Sequence, residues 1–319
     1  MIACPSCGNS HQNAPEEVFR HCSLYCCSSC DLQFWHPVAM PDVTWYEAAY
    51  HGRDQRVMPL EPGHRFFLSK HHVPKGGTLL DVGCGTGNFL AAARAKGFEV
   101  TGIEFDRNAA QFAREHLGLR STFSCTLEEF AEKHPQEKFD VITFFEVLEH
   151  QDKPLGFLRL VKRCLKEGGH IALSVPNRER WHMAPDVLDY PPNHLTRWNA
   201  RALTGFLTAE GFTVTGIHEE RIGVRQATGV LNSAVRTGMV SKLAGGAPPA
   251  LSDLAEMKPE EMTQAVQRAA QSHRQQWASI LVAAKSAMFF PVAILGLPYF
   301  RLRGYKGLYL SCIAMRVNA

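Results

Sequence analysis

The stretch that most constrains what this chain can fold into is residues 78–90, TLLDVGCGTGNFL. Strand-like residues Thr78 to Val82 run into three alternating glycines and then into a helix start at Asn88. Glycine is needed where backbone turns sharply or a ligand comes close to it. A helix N-terminus offers free N–H groups to an anionic or polar group. The pattern predicts a nucleotide-type pocket at the carboxyl end of a parallel strand. The dinucleotide fingerprint G-x-G-x-x-G would need glycine at position 88 or 90, where the chain has Asn88 and Leu90, and no G-K-[ST] follows for a P-loop. What remains is D-x-G-x-G-x-G, formed by Asp81, Gly83, Gly85 and Gly87. An acidic group ahead of the loop repels a pyrophosphate but attracts an ammonium.

The string Leu80-Asp81-Val82-Gly83-Cys84-Gly85-Thr86-Gly87 resembles the first motif of the class I S-adenosylmethionine-dependent methyltransferases. The resemblance implies a loop wrapped around the cationic methionine part of the cofactor, with Asp81, Gly83, Cys84, Gly85 and Gly87 as cofactor-binding positions. Cys84 reads as a small buried residue, because an activated sulfonium methyl calls for alignment and proton removal rather than a protein nucleophile. The implied fold is α/β, a doubly wound, seven-stranded Rossmann-like sheet, and alternating strand and helix patterns over 78–221 agree with it. Strand 99–104 (EVTGIE) ends in Glu104, about twenty positions after the loop, where a carboxylate accepts both ribose hydroxyls of a nucleoside. Phe105 is placed to cover the adenine face, and Asp106 to cap the next helix. After a third strand, 121–125, many members of the family carry an Asp that bonds the adenine amino group. Here that contact passes to the Thr126 hydroxyl or to backbone.

The fourth strand, 139–145 (FDVITFF), is followed by Glu146-Val147-Leu148-Glu149-His150, which resembles the quinone and small-molecule O-methyltransferase-like branch of the same class. This turn, at the mouth of the sheet, is expected beside the transferred methyl, with Glu146 in the cofactor site. His150 titrates near neutrality and is the first candidate base. Glu146, Glu149 and His150 are alternatively ligands of a divalent cation. The long loop 176–198 is expected to carry substrate contacts and supplies His194 as the second candidate base. For each histidine, a purely structural bond to backbone stays open.

The N-terminal segment, 1–40, carries two C-x2-C knuckles, Cys4/Cys7 and Cys27/Cys30, at a spacing that reads as a four-cysteine zinc site. Cys26 is an alternative to Cys27, and Cys22 and His21 are spare candidates. A segment this short needs the metal for stability, so a structural zinc ribbon is expected. It resembles the small ribbons that precede the catalytic domain in many bacterial methyltransferases. Residues 41–77, broken by prolines and rich in Trp45, Tyr46 and Tyr50, read as a linker with helices leading into the core. Nothing at the N-terminus reads as a signal peptide, so ten cysteines suggest a cytoplasmic chain with thiols or metal ligands.

Strand six fits 212–219 and strand seven 307–315, within a closing segment 306–319. The stretch between them far exceeds a hairpin loop, so a helical insertion is expected over 222–305. In it, 244–260 reads as a mobile stretch and 261–285 as a helix. Residues 286–300 are strongly apolar, too short to span a bilayer, and followed by Arg301, Arg303 and Lys306. A peripheral membrane contact is one reading of them; core packing and a dimer surface are the others. The expected acceptor is a small molecule or is lipid-linked. The rivals are a non-catalytic cofactor-binding scaffold, an NAD-type oxidoreductase and an RNA-modifying methyltransferase. A net charge of only +3 gives nucleic acid no electrostatic support.

Overall fold

The computed structural model describes residues 2–11, 13–41, 45, 59–70, 76–180, 187–224, 226–228, 264 and 280–317. The expectations for Tyr46, Tyr50, residues 244–260 and most of 261–285 lie outside them. The N-terminal strands are β1 (Ile2–Ala3), β2 (Ser10–His11), β3 (Glu17–Phe19), β4 (Cys22–Cys26) and β5 (Gln33–His36), and helix α1 (Pro62–Leu68) follows. The core then alternates: β6 (Thr78–Val82), α2 (Asn88–Ala95), β7 (Glu99–Ile103), α3 (Arg107–Leu117), β8 (Thr122–Phe123), α4 (Leu127–Lys133) and β9 (Phe139–Phe145). It continues with α5 (Pro154–Cys164), β10 (Leu165–Pro176), β11 (Thr196–Arg197), α6 (Ala200–Ala209), β12 (Phe212–Arg221), α7 (Ile280–Leu302) and β13 (Lys306–Arg316).

Seven of these strands form one sheet in the order β12-β13-β10-β9-β6-β7-β8. The five strands from β10 to β8 run parallel, and β13 lies antiparallel between β10 and β12. Side chains alternate faces along a strand, so both faces of a parallel sheet must be covered. Leu80, Ile142, Phe144, Ile171 and Leu173 enter one core with Phe157, Leu158 and Leu203 from α5 and α6. Leu79, Val141, Ala172 and Ile313 enter the other with Phe67, Phe89, Leu90 and Ala93. This is why residues 78–82 read as an unbroken apolar run around one acid.

The aspartate of the FD pair at the start of β9 is structural. Asp140 accepts the Thr78 N–H and hydroxyl, at 2.9 Å each, and an ion pair from Lys166 at 2.9 Å. Those bonds hold the register of β6 against β9, far from the strand ends that matter chemically.

Two elements differ from the sequence reading. β8 is two residues long rather than five. β10 begins at Leu165, five residues early, because Leu165 pairs with Phe139 before the register shifts to His170 against Val141. Gly168, at φ +69°, lets the chain make that bulge. The closing hairpin follows the expectation, and among the described residues of the insertion α7 is one continuous helix through Pro291 and Pro298. Arg221 pairs with Lys306, and Pro176 with Tyr309. The insertion therefore leaves and rejoins the sheet at the carboxyl end of the parallel strands.

Candidate functional site

β6 neighbours both β7 and β9, so the chain's winding reverses there and a crevice opens at the strand ends. The glycine loop lines it. The Gly83 and Cys84 N–H groups donate to the Ile103 carbonyl at 2.9 and 3.1 Å, folding the loop back over β7. Gly83 has φ +75°, and a Cβ there would lie 2.8 Å from Val147, in the turn after β9. Gly87 caps α2 at φ +82°, where a Cβ would lie 2.5 Å from Leu119. Both positions exclude a side chain on two grounds, conformation and space. Cys84 is buried, and burial pushes its thiol well up, as for a packing residue.

Glu104 follows β7 at the crevice. One carboxylate oxygen accepts the Gly85 N–H at 2.8 Å, the other the Asp106 N–H at 2.9 Å. A carboxylate oxygen can accept more than one hydrogen bond, so these backbone bonds position the group without exhausting its chemistry. Asp81 is 3% exposed and accepts the Thr143 hydroxyl at 2.6 Å. Burial, with the Glu104 charge adding to it, pushes Asp81 up to about 8. Asp106 caps α3 as expected, accepting from Asn108 and Ala109. Phe105 lies half-buried between Glu104 and this cap. Thr126 sits at the start of α4, where its hydroxyl accepts the Glu129 N–H at 3.2 Å in a capping box.

The turn after β9 carries the second half of the site. Glu146 takes a left-handed conformation, φ +55°, rare for a residue with a side chain. Its carboxyl accepts the Ser174 hydroxyl at 2.8 Å, and burial together with the Glu61 charge pushes it up to about 8. Glu149 is 1% exposed, and among the described residues no N–H or hydroxyl donor reaches either carboxylate oxygen. Burial, and then the Glu146 charge, pushes it well above the usual carboxylate range. His150 donates from Nδ1 to the Asn193 carbonyl at 2.7 Å, and its Nε2 lies 3.9 Å from Glu149.

His194 faces His150 with ring centroids 5.0 Å apart. Its Nδ1 meets Asp189 at 3.3 Å. Against a burial that would raise it, the His194 bond and the Arg180 charge hold Asp189 well below the usual carboxylate range. Ligand atoms of Glu149, His150 and His194 all lie within 4.8 Å of one another. The sequence reading brought both histidines forward but passed over Asp189, Arg180, Glu61 and Tyr309. Burial and the charges of Glu146 and Glu61 push the Tyr309 phenol well up. No spacing rule links positions 61, 189 and 309 to the turn; only the fold does.

The four N-terminal cysteines converge as read. Cys4 and Cys30 sulfurs lie 3.6 Å apart, as do those of Cys7 and Cys27. A tetrahedron of thiolates around a metal at about 2.3 Å has edges of about 3.8 Å, so the donor set fits one. Each knuckle turns through a left-handed residue, Gly8 at φ +72° and Asp31 at φ +65°. Cys27, not Cys26, belongs to the cluster. Cys26 points to Asp31, and Cys22 to the Pro37 carbonyl.

This ribbon is joined to the active end of the sheet. β11, from the loop carrying His194, pairs antiparallel with β5 in a sheet ordered β11-β5-β4-β3. The Leu195 N–H donates to the Glu149 carbonyl at 2.8 Å, and its own carbonyl accepts the Trp35 N–H at 3.0 Å. Tyr190 donates to Glu17 at 2.7 Å, and Arg197 stacks over Trp35 and Tyr190 at 5.2 Å each. Asp31 accepts from Arg178 at 2.7 Å and from Asn199, the cap of α6, at 2.9 Å. α1 closes another side: Gly63 packs on Ser174 and Phe145, and His64 stacks on Phe89 with centroids 5.0 Å apart.

The profile of a family described as Methyltransferase domain matches residues 51–217, just over half of the chain. A ubiquinone biosynthesis O-methyltransferase of Photorhabdus laumondii is 36% identical over 141 residues, covering 42% of this chain and 58% of that protein. The protein of the same name from Klebsiella pneumoniae is 37% identical over 141 residues, covering 42% and 57%. The chain thus spans about half the length of these relatives. A chain of the Haloferax volcanii complex between the Trm112 methyltransferase activator and a methyltransferase shares the fold. It has a TM-score of 0.50 and 16% identity, covering 88% of this chain and all of that one.

The Asp31 junction yields a test. Asp31→Asn keeps a residue that tolerates the left-handed turn but leaves Arg178 facing a neutral amide. The expected result is a loss of about 1–3 kcal/mol in urea unfolding, with faster hydrogen exchange at Leu195 to Arg197 and the thiol cluster still able to bind metal.

Proposed function

The chain belongs to the methyltransferase-domain family, and on that premise we propose that it transfers the methyl group of S-adenosylmethionine to a nucleophile on a small-molecule or lipid-linked acceptor. The observation that carries this is the Glu104 carboxylate, bridging the Gly85 and Asp106 amides beside the glycine loop. It fits a ribose diol and opposes a phosphate. The cofactor supplies an activated sulfonium methyl. Gly83 to Gly87 would hold its methionine part, Glu104 its ribose and Asp81 its ammonium. With the cofactor bound, the acceptor nucleophile would take the methyl in line as the C–S bond breaks to leave neutral S-adenosylhomocysteine, and would give up its proton to a base.

The Asp189–His194 pair supports His194 as that base: the carboxylate holds Nδ1–H, so Nε2 is presented as acceptor. His150, with Nδ1 given to the Asn193 carbonyl, stands beside it as the second imidazole. A second reading rests on Glu149, whose buried oxygens find no donor among the described residues beside two imidazoles. A divalent cation held by Glu149, His150 and His194 would satisfy them and lower the acceptor hydroxyl's pKa. For the ribbon we assign zinc to Cys4, Cys7, Cys27 and Cys30, since four thiolates in a tetrahedron suit that ion. Its role is structural.

Calorimetric titration with S-adenosylmethionine and S-adenosylhomocysteine tests the core of this reading. Glu104→Ala removes two charge-assisted bonds to the loop and the ribose ligand, about 3 kcal/mol or more, so Kd is expected to rise at least about a hundredfold. Wild-type protein that binds neither compound would refute the proposal.

The pH dependence follows from Asp81. A carboxyl whose folded pKa is raised stabilises the fold below the ordinary carboxylate range and loses that contribution as pH rises through about 8. At pH 7 the free protein therefore holds Asp81 mostly protonated. An arriving ammonium favours the ionised form, so binding is expected to release up to about one proton at pH 7 and little above pH 9. Titrations in buffers of different ionisation enthalpy measure this, and Asp81→Asn is expected to abolish the release.

Methyl transfer from labelled cofactor to phenolic and amine acceptors, with and without isoprenoid tails, separates the two roles of the histidine cluster. If His194 is the base, His194→Gln lowers the rate about 10²–10⁴-fold whether or not Mg²⁺ is present, with cofactor affinity unchanged. If a cation is held, chelation abolishes the rate, Mg²⁺ restores it, and Glu149→Gln removes the response.

A further inference from the structure

The apolar run of the insertion is used by nothing in the site described so far. From Phe290 onward the buried side of α7 is narrow: Ala293, Leu297 and Phe300 pack on Ile222, Val224, Ala227 and Tyr305. The rest of the helix surface is apolar and exposed. Phe290 is 50% exposed, Val292 54%, Ile294 46%, Leu295 80%, Tyr299 56% and Leu302 88%. At 100° per residue these side chains sweep roughly 200° of the helix circumference. The one charged residue between Phe290 and Leu302 is Arg301, and Arg303 follows the helix end. Both arginines are exposed, with no carboxylate partner among the described residues.

A surface of this breadth calls for a covering medium. A parallel two-fold pairing of the face with a second copy would bring the Arg301 and Arg303 pairs of the two chains together, like charge on like, and any pairing would leave these cations without a carboxylate partner from the face itself. A bilayer suits the combination better. Its hydrocarbon takes the leucine, isoleucine and phenylalanine side chains, its interface takes the Tyr299 hydroxyl, and anionic headgroups take the arginines. Among the described residues no helix is long and apolar enough to cross a membrane, so the helix would lie in the interface. Its position adds a reason. The residues after α7 reach Lys306, which bridges to Arg180 by backbone and pairs with Glu219 at 2.6 Å. Arg180 in turn is the ion-pair partner of Asp189, which holds His194.

We propose that the exposed face of α7 docks the protein on an anionic lipid surface, with the acceptor crevice beside the contact. That this serves a lipid-linked acceptor rests on the methyl-transfer reading; the docking itself does not.

The test is co-sedimentation of the full chain with vesicles of phosphatidylcholine alone and of phosphatidylcholine with phosphatidylglycerol, beside calorimetry with S-adenosylhomocysteine. The wild type is expected to partition onto both and more strongly onto the anionic vesicles. Leu295→Glu, at an exposed position, is expected to abolish partitioning onto both. Arg301→Glu with Arg303→Glu is expected to weaken partitioning onto phosphatidylglycerol vesicles about thirtyfold or more while changing phosphatidylcholine partitioning little. All variants are expected to bind S-adenosylhomocysteine like the wild type. Absence of partitioning, or partitioning that Leu295→Glu leaves intact, would overturn the proposal. So would a dimer in analytical ultracentrifugation that Leu295→Glu dissociates while vesicles remain unbound. Vesicle binding without nucleoside binding would instead remove the methyl-transfer reading and leave the docking in place.

Discussion

The peptide unit of Leu195 is held from two sides, and the active end of the molecule is built around it. Its N–H is given to the Glu149 carbonyl in the turn after β9, and its carbonyl takes the Trp35 N–H of the ribbon. His194 precedes it, and Thr196 follows as the start of an edge strand on β5. Two hydrogen bonds therefore link three pieces distant in sequence: the cysteine ribbon, the turn after β9 and the loop carrying His194. Without β11, β5 would be an open edge and the loop a long excursion without a ladder.

That linkage gives the ribbon a role beyond its own stability. The four cysteine sulfurs converge at the knuckles, and the residue after the second knuckle, Asp31, passes their constraint on to Arg178 and Asn199. Arg197, stacked over Trp35 and Tyr190 and bound to Glu17, does the same from the loop side. The cysteine ribbon thus sets the floor on which the Asp189–His194 pair stands.

The charge distribution in the crevice is consistent with its chemistry. Asp81, Glu146 and Glu149 are all pushed up by burial, with neighbouring carboxylates adding to it. Burying acids with at most a hydroxyl as donor costs stability, and clusters of such perturbed groups mark functional sites. Glu104 differs from them. Two backbone N–H groups hold its carboxylate in place, which suits a permanent acceptor for neutral hydroxyls. The left-handed Glu146 lies on the same turn, in a conformation held by the Gly83–Val147 contact and the Ser174 bond rather than by its own preference.

Much of this was legible in the chain itself, and for a local reason. A strand, a glycine turn and a helix start are decided within a dozen residues, so Asp81 to Gly87 and Glu104 could be assigned roles before any coordinates. The two knuckles were equally local, since C-x2-C followed by a residue able to turn left-handed aims two thiolates at one point. The doubly wound sheet followed from period and order, and β9 was read to its ends because a short, almost wholly apolar run between turn signals suits a buried parallel strand. What the sequence could not determine lies in pairings between distant residues. Cys27 rather than Cys26, Asp189 behind His194, Glu61 against Glu146 and Tyr309 over the acids each depend on which chain segments are brought together. The early start of β10 likewise depends on Phe139 offering it a partner. Local propensity sets the elements and the backbone turns. Long-range strand pairing and burial, which no short window contains, decided where the ribbon docks and which side chains meet.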